Sequence, residues 1–201
     1  MHSVSFSKTG GPEVLEYKEL KLEDPKSGEV LIKHSAIGLN FIDTYHRSGL
    51  YPLPLPTKLG MEGAGVVIDK SSDVNEYEIG DRVAYVMTLG SYSTKRNIEA
   101  NKLVKIPKSI SDQQAAAVLL KGMTVEYLVN RCIRLNPGDK VLFHAAAGGV
   151  GLIAGQWLKY LGVESIGTVG TKDKIQLAKD AGYDYVINYS DEDFVEATMD
   201  F

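Results

Sequence analysis

Short apolar runs separated by turn residues fill the first half of the chain. Residues 30–36, 65–68, 82–86 and 103–106 are rich in Val, Ile and Leu and read as strands. Residues 25–28, 51–56 and 78–81 supply the Pro, Gly and Asp that separate them. Their irregular spacing predicts a barrel-like β domain rather than a repeat. The period changes near Ser109. Ser111-Asp112-Gln113-Gln114 has the form of a capping box, which predicts a helix over 112–121. Gly122 is expected to break that helix, and a second one is expected over 124–132. Asn136-Pro137-Gly138-Asp139 is a turn.

From residue 140 the pattern becomes β-turn-α-β-α-β. Residues 140–144 form an apolar strand, and Gly149–Leu161 carries apolar residues at 150, 153, 154, 157, 158 and 161, a helical spacing. Glu164–Val169 and 185–189 read as strands, and 172–181 and 191–199 as helices. The prediction is an α/β chain with a β-rich domain over 1–108 and a parallel, doubly wound sheet over 109–201.

Composition adds exclusions. The 201 residues carry a net charge of −4 with 44% apolar and 24% charged positions, ordinary for a soluble globular protein. No basic block appears, so no nucleic-acid partner is expected. The longest apolar runs, such as 115–120, are too short for a bilayer, and residues 1–11 lack a signal-peptide core, which favours the cytoplasm. The single cysteine, Cys132, excludes an intrachain disulfide and is expected as a small buried residue in a helix. His2, His34, His46 and His144 share no ligand spacing, so no metal is expected.

The chemistry concentrates in Ala146-Ala147-Gly148-Gly149-Val150-Gly151, which lies between an apolar strand and an amphipathic helix. Ala146-x-Gly148-x-x-Gly151 is the dinucleotide fingerprint with alanine in first place: a tight turn, close backbone approach to the pyrophosphate, and close helix–strand packing. The alternative is a tight connection without a ligand. An NAD site places an acid at the end of the next strand. Here Val169-Gly170-Thr171-Lys172-Asp173-Lys174 stands there instead, and Thr171 and Lys174 suit a 2′-phosphate, with Asp173 free to point outward. NADPH is therefore the expected cofactor.

Residues 138–142, the glycine turn and Gln156-Trp157-Leu158-Lys159 together resemble the signature of zeta-crystallin-like quinone oxidoreductases, in the zinc-free branch of the medium-chain dehydrogenase/reductase superfamily. Gly10-Gly11-Pro12-Glu13-Val14-Leu15, Asn40-Phe41-Ile42-Asp43-Thr44-Tyr45, Arg47-Ser48-Gly49-Leu50-Tyr51-Pro52 and Gly80-Asp81-Arg82-Val83 extend the likeness along the chain. The resemblance implies a GroES-like catalytic domain, a Rossmann domain, and reduction of a quinone by NADPH in the cleft between them. It places Asn40, Tyr45, Arg47 and Tyr51 on the substrate side. It puts Thr124, Tyr127 and Tyr189 on the cofactor, beside Ala147, Gly148, Gly149, Val150, Gly170, Thr171 and Lys174 of the turn and strand end.

Plain packing for the tyrosines and a solvated role for Arg47 remain the alternatives. Zinc-dependent relatives carry Gly-His-Glu where this chain has Gly60-Met61-Glu62, and methionine is a poor zinc ligand. A reductase of conjugated enones or enoyl thioesters would use the same cofactor site, and a structural or RNA-binding role is the non-enzymatic alternative. Family members are longer than this chain, so later Rossmann strands, a return segment and a homodimer are expected of the full-length protein.

Overall fold

The apolar runs of the first half pair as antiparallel strands. The computed structural model describes residues 1–199 and 201. The chain divides into two compact units, Met1–Leu120 and Lys121–Phe201. The first unit holds β1 (His2–Phe6), β2 (Glu16–Glu19), β3 (Glu29–Ile37), β4 (Thr57–Lys58), β5 (Glu62–Lys70), β6 (Arg82–Val86), β7 (Lys95–Glu99) and β8 (Val104–Lys105). These form a five-stranded sheet in the order β7-β3-β5-β6-β8 and a three-stranded one in the order β2-β1-β4. Val30, Ile32, Val67, Val83, Tyr85 and Ile98 bury one core between them, so the β-branched residues of the sequence pattern are the inward-facing ones.

Helix α1 (Phe41–Ser48) is absent from the sequence expectations. Its buried residues are the polar Asp43 and His46 while Phe41 is exposed, so no inward apolar stripe announces it and its ends define it instead. Asn40 is the N-cap, its backbone N–H donating to Asp43 Oδ2 at 3.0 Å, and Gly49 closes the helix with φ 86°.

Helix α2 (Asp112–Glu126) begins with the expected capping box. Gln114 N–H donates to Ser111 Oγ at 3.1 Å, and Ser111 N–H to Gln114 Oε1 at 2.9 Å. The break expected at Gly122 does not occur. A helical glycine costs about 1 kcal/mol, and burial of Val125 and Val129 in the second core outweighs that. A π-helical stretch, Tyr127–Cys132, continues the segment, so the expected second helix is a widened end of the first. Cys132 is exposed rather than buried, and Tyr127 is 56% exposed, not a core aromatic.

In the second unit β9 (Lys140–Phe143), β10 (Glu164–Val169) and β11 (Tyr185–Asn188) form a parallel sheet in the order β11-β10-β9. Helices α3 (Gly149–Leu161) and α4 (Asp173–Asp180) connect them, and α5 (Phe194–Met199) follows. Ala154, Leu158 and Ala178 face the core with Val169, Tyr183 and Val186. This is the expected β-α-β-α-β order, with α5 starting later than the pattern suggests. Among the described residues no helix is long and apolar enough to cross a membrane.

Candidate functional site

The glycine turn follows β9 directly. Ala146 N–H donates to Thr168 O at 2.9 Å, which ties the turn to the central strand β10, and Gly148 N–H donates to Ala145 O at 2.8 Å within it. The left-handed residue of the turn is Ala145, with φ 55°, while Gly149 is already helical. Gly148 is the N-cap of α3, and no acid occupies the first turn. The amides of Gly149, Val150 and Gly151 therefore begin a helix whose positive end no side-chain carboxylate in that turn offsets.

The glycines have different neighbours. A Cβ on Gly151 would lie 2.4 Å from Ala145 O and 2.5 Å from Ala146 O, so this position serves helix–strand packing. A Cβ on Gly149 would meet only the side chain of Lys121, 2.8 Å from Cε. That brings Lys121, absent from the sequence-derived site, to the mouth of the turn. Nothing in the pattern of its helix singles it out, since the approach is through space.

The end of β10 lies beside the turn in register. Gly170 sits under Tyr189, where a Cβ would be 2.5 Å from the phenolic oxygen, and Ser190 Oγ donates to Gly170 O at 2.8 Å. Lys172 pairs with Asp191 at 3.5 Å. Thr171 donates its hydroxyl to Asp173 and holds that carboxyl below the usual range. The charge of Lys174 adds to this lowering. Thr124 and Tyr127 are exposed on the segment whose Val125 and Val129 enter the second core.

The predicted substrate-side residues all lie in the first unit. Tyr45 and Tyr51 pack edge to face with centroids 5.2 Å apart, and Tyr51 also meets the His46 ring at 6.3 Å. Arg47 donates from Nε to Gly10 O at 3.2 Å, holding the N-terminal loop. Asn40 is buried at 8% exposure, and its Nδ2 donates to Glu62 Oε2 at 2.9 Å. Glu62 is fully buried, and its other oxygen accepts Leu120 N–H at 2.7 Å. Tyr92 donates to Asp43 Oδ2 at 2.9 Å, and burial beside that carboxylate pushes its phenol well up. Sequence reading missed Glu62, Asp43 and Tyr92 as members of this set.

A cavity of about 600 Å³ in the same unit is lined by Val4, Tyr17, His34, Ile37 and Tyr92 among others, and none of the four predicted residues lines it. At its wall burial lowers His34 to about 4. The His34 ring bonds Ser93 O at 2.6 Å and Tyr85 Oη at 2.8 Å, and Arg96 donates to the same phenol at 3.3 Å.

Two family models match the chain: the alcohol dehydrogenase GroES-like domain over residues 26–129 and the zinc-binding dehydrogenase over 149–201. Quinone oxidoreductase 1 of Escherichia coli (strain K12) is 53% identical over 195 residues, covering 96% of this chain and 60% of that protein. The crystal structure of Escherichia coli quinone oxidoreductase complexed with NADPH superposes with a TM-score of 0.97 at 51% identity, over 100% of this chain and 62% of that one. The chain belongs to the medium-chain dehydrogenase/reductase superfamily, whose alcohol dehydrogenase GroES-like domain matches more than half of it. A 2-haloacrylate reductase from Burkholderia sp is 42% identical over 96% of this chain and 60% of its own length. The chain thus spans about 60% of the length of the curated relatives it matches.

The zinc in the second family name finds no matching donor set here. Among the described residues no group of three or more His, Cys, Asp or Glu is arranged to hold a metal ion. At the zinc-dependent relatives' histidine position stands the buried thioether of Met61, and each oxygen of Glu62 accepts an N–H.

Proposed function

We propose that this chain carries the cofactor and substrate residues of an NADPH-dependent quinone reductase that works without zinc. The observation that supports it most is the glycine turn. A helix start free of acid, with Gly151 leaving room for the helix to pack closely on the turn, fits a dinucleotide pyrophosphate. The Escherichia coli quinone oxidoreductase of similar structure was crystallised with NADPH, and the cofactor is carried over to this chain on that basis.

Bound nicotinamide supplies the hydride. In this reading the chain's own residues bind, orient and exclude water. Ala147, Gly148, Gly149 and Val150 present backbone to the pyrophosphate. Gly170, Thr171, Lys174 and Tyr189 receive the adenosine side, with Lys174 giving the charge-assisted contact to a 2′-phosphate. Thr124 and Tyr127 border the nicotinamide. Asn40, Tyr45 and Tyr51 form the substrate side, where a polar hydrogen steadies the oxygen that gains charge. Arg47 acts through the loop it holds. The whole protein is proposed to be a cytoplasmic homodimer without nucleic-acid or membrane partners, which sedimentation and fractionation would check.

The experiment is NADPH oxidation by the purified protein with a simple benzoquinone, a conjugated enone and a 2-haloacrylate as acceptors. Quinone-dependent oxidation, faster with NADPH than NADH, is expected. The second reading, a reductase of conjugated double bonds, draws on the 42% identity to the 2-haloacrylate reductase. Turnover of the enone or haloacrylate alone would establish it instead. Failure to bind either nucleotide would overturn both.

A further inference from the structure

A polar cavity of about 350 Å³ in the first unit contains none of the predicted substrate-side residues. Arg96 and Asn97 of β7, Lys58 of β4 and the segment 20–26 line it. That segment is tied down, because Asn97 Nδ2 donates to Glu23 O at 2.9 Å and to Asp24 O at 3.3 Å. Four basic side chains, Lys21, Lys26, Lys58 and Arg96, meet only two carboxylates there, Glu23 and Glu29. Both acids lie by Lys26: Glu29 Oε2 accepts its backbone N–H at 2.9 Å, and Glu23 is 3.9 Å from its Nζ. Among the described residues neither Lys58 nor Arg96 makes an ion pair. The two cations nevertheless converge. A Cβ on Gly90 would lie 3.4 Å from Lys58 Cδ and 3.6 Å from Arg96 Nη1. The guanidinium is already held in place. Nη1 donates to Thr88 O at 3.1 Å and Tyr85 Oη at 3.3 Å, Nε donates to Asn97 O at 3.3 Å, and the group lies 5.0 Å from the Tyr85 ring centre.

We propose that this cavity binds a phosphate group between Arg96 and Lys58. Two like charges in one recess repel each other, and a recess lined mostly by one sign concentrates the field that draws in an anion. The acceptors that hold Arg96 are all neutral, so its charge is not cancelled where it sits. A guanidinium fixed beforehand also loses little rotamer freedom when an anion arrives. Its remaining N–H groups suit the oxygens of an oxyanion, and Lys58 adds a point charge beside them. A phosphate dianion answers both cations, whereas a carboxylate answers one. The volume leaves room for more than the ion, since sites for small molecules begin at roughly 300 Å³. An organic part carried by the phosphate would lie beside Leu20 and Leu22. The site belongs to the other unit from the glycine turn, and nothing in it rests on quinone reduction.

The test is an NMR titration of the purified protein with inorganic phosphate and with glycerol 3-phosphate at constant ionic strength. Saturable shifts of the Gly90, Arg96 and Asn97 amides and of Arg96 Nε–H are expected at millimolar phosphate. Shifts at residues 148–151 would report phosphate on the glycine turn separately. Lys58→Gln should weaken both probes about tenfold, the contribution of one charge-assisted contact. Arg96→Lys keeps the charge but loses the fork, and should weaken them by about the same factor. Lys108→Gln alters an exposed lysine outside the cavity and should change neither. Tighter binding of glycerol 3-phosphate would identify the occupant as an organic phosphate, and tighter binding of the free ion as inorganic phosphate; either upholds the site. Shifts that spread over exposed lysines without saturating, or wild-type affinity in Lys58→Gln, would overturn it. Lys58 is exposed, so its variant decides the matter even if Arg96→Lys fails to fold.

Discussion

Gly149 and Gly151, on the same turn, should fail in different ways. In Gly151→Ala the new Cβ would stand 2.4 Å from Ala145 O, 2.5 Å from Ala146 O and 2.6 Å from Ala146 C, all backbone. Ordinary contact begins near 3.4 Å, so the start of α3 must retreat by about 1 Å from the turn. That helix carries Ala154 and Leu158, both fully buried, and a gap of this size forfeits a quarter to a half of the dispersion well on each contact. Overpacking of this kind costs about 1–3 kcal/mol, and the helix preference of Ala over Gly returns at most about 1. The net loss corresponds to a fall of several degrees in the melting temperature of the second unit.

Gly149→Val is the contrast. Its neighbour is the movable end of Lys121, and its backbone is helical, so no left-handed strain arises. Stability should change by less than about 1 kcal/mol, the scale of a valine in a helix. NADPH affinity should nonetheless be lost, because an isopropyl group stands where the pyrophosphate must approach the backbone. Calorimetric melting and NADPH titration of both variants decide the matter. A Gly151→Ala protein as stable as wild type, or a Gly149→Val protein that melts early and binds normally, would refute the assignment of the two roles.

Lys174→Ala should weaken NADPH by about 10- to 150-fold and NADH little, measured by titration of each; equal losses would remove the 2′-phosphate assignment. His34 is lowered from 6.5 to about 4, so the unfolded chain takes up a proton before the folded one does. Stability contributed by neutral His34 is full above about 6.5 and drains as pH falls toward 4, by up to about 3 kcal/mol. Urea unfolding of wild type and His34→Gln across this window should show a flatter pH dependence in the variant, and parallel curves would contradict burial of His34 as the cause. Quinone turnover should survive exhaustive chelation, and activity lost to chelator and restored by zinc would overturn the zinc-free reading.

Elements with their own period were readable from the sequence. Gly149–Leu161 matches its expected bounds because an apolar stripe lies between two glycines, the N-cap Gly148 and the left-handed C-cap Gly162 with φ 69°. Helix α1 buries the polar Asp43 and His46 instead of an apolar stripe; its signals are Asn40, Asp43 and Gly49, which are short-range and easily read as loop. The expected break at Gly122 fails because tertiary burial of Val125 and Val129 outweighs local propensity. Cys132 is exposed because the π-helical turn gives the inward position to Val129.

The candidate site divides along the same line. The glycine turn acts through backbone, and backbone chemistry leaves a local trace: a strand, a run of small residues, then a helix. The proposed substrate side rests on side chains held by partners remote in sequence: Asn40 and Glu62 are 22 positions apart, Tyr92 and Asp43 are 49, and Leu120 and Glu62 are 58. No local pattern encodes such a pairing. It becomes visible only when the sheet brings the start of β5 beside the end of β3, with Gly38 leaving space for a carboxylate. A sequence can therefore name Asn40 by resemblance, yet say nothing about the buried carboxylate 22 positions on that its amide meets.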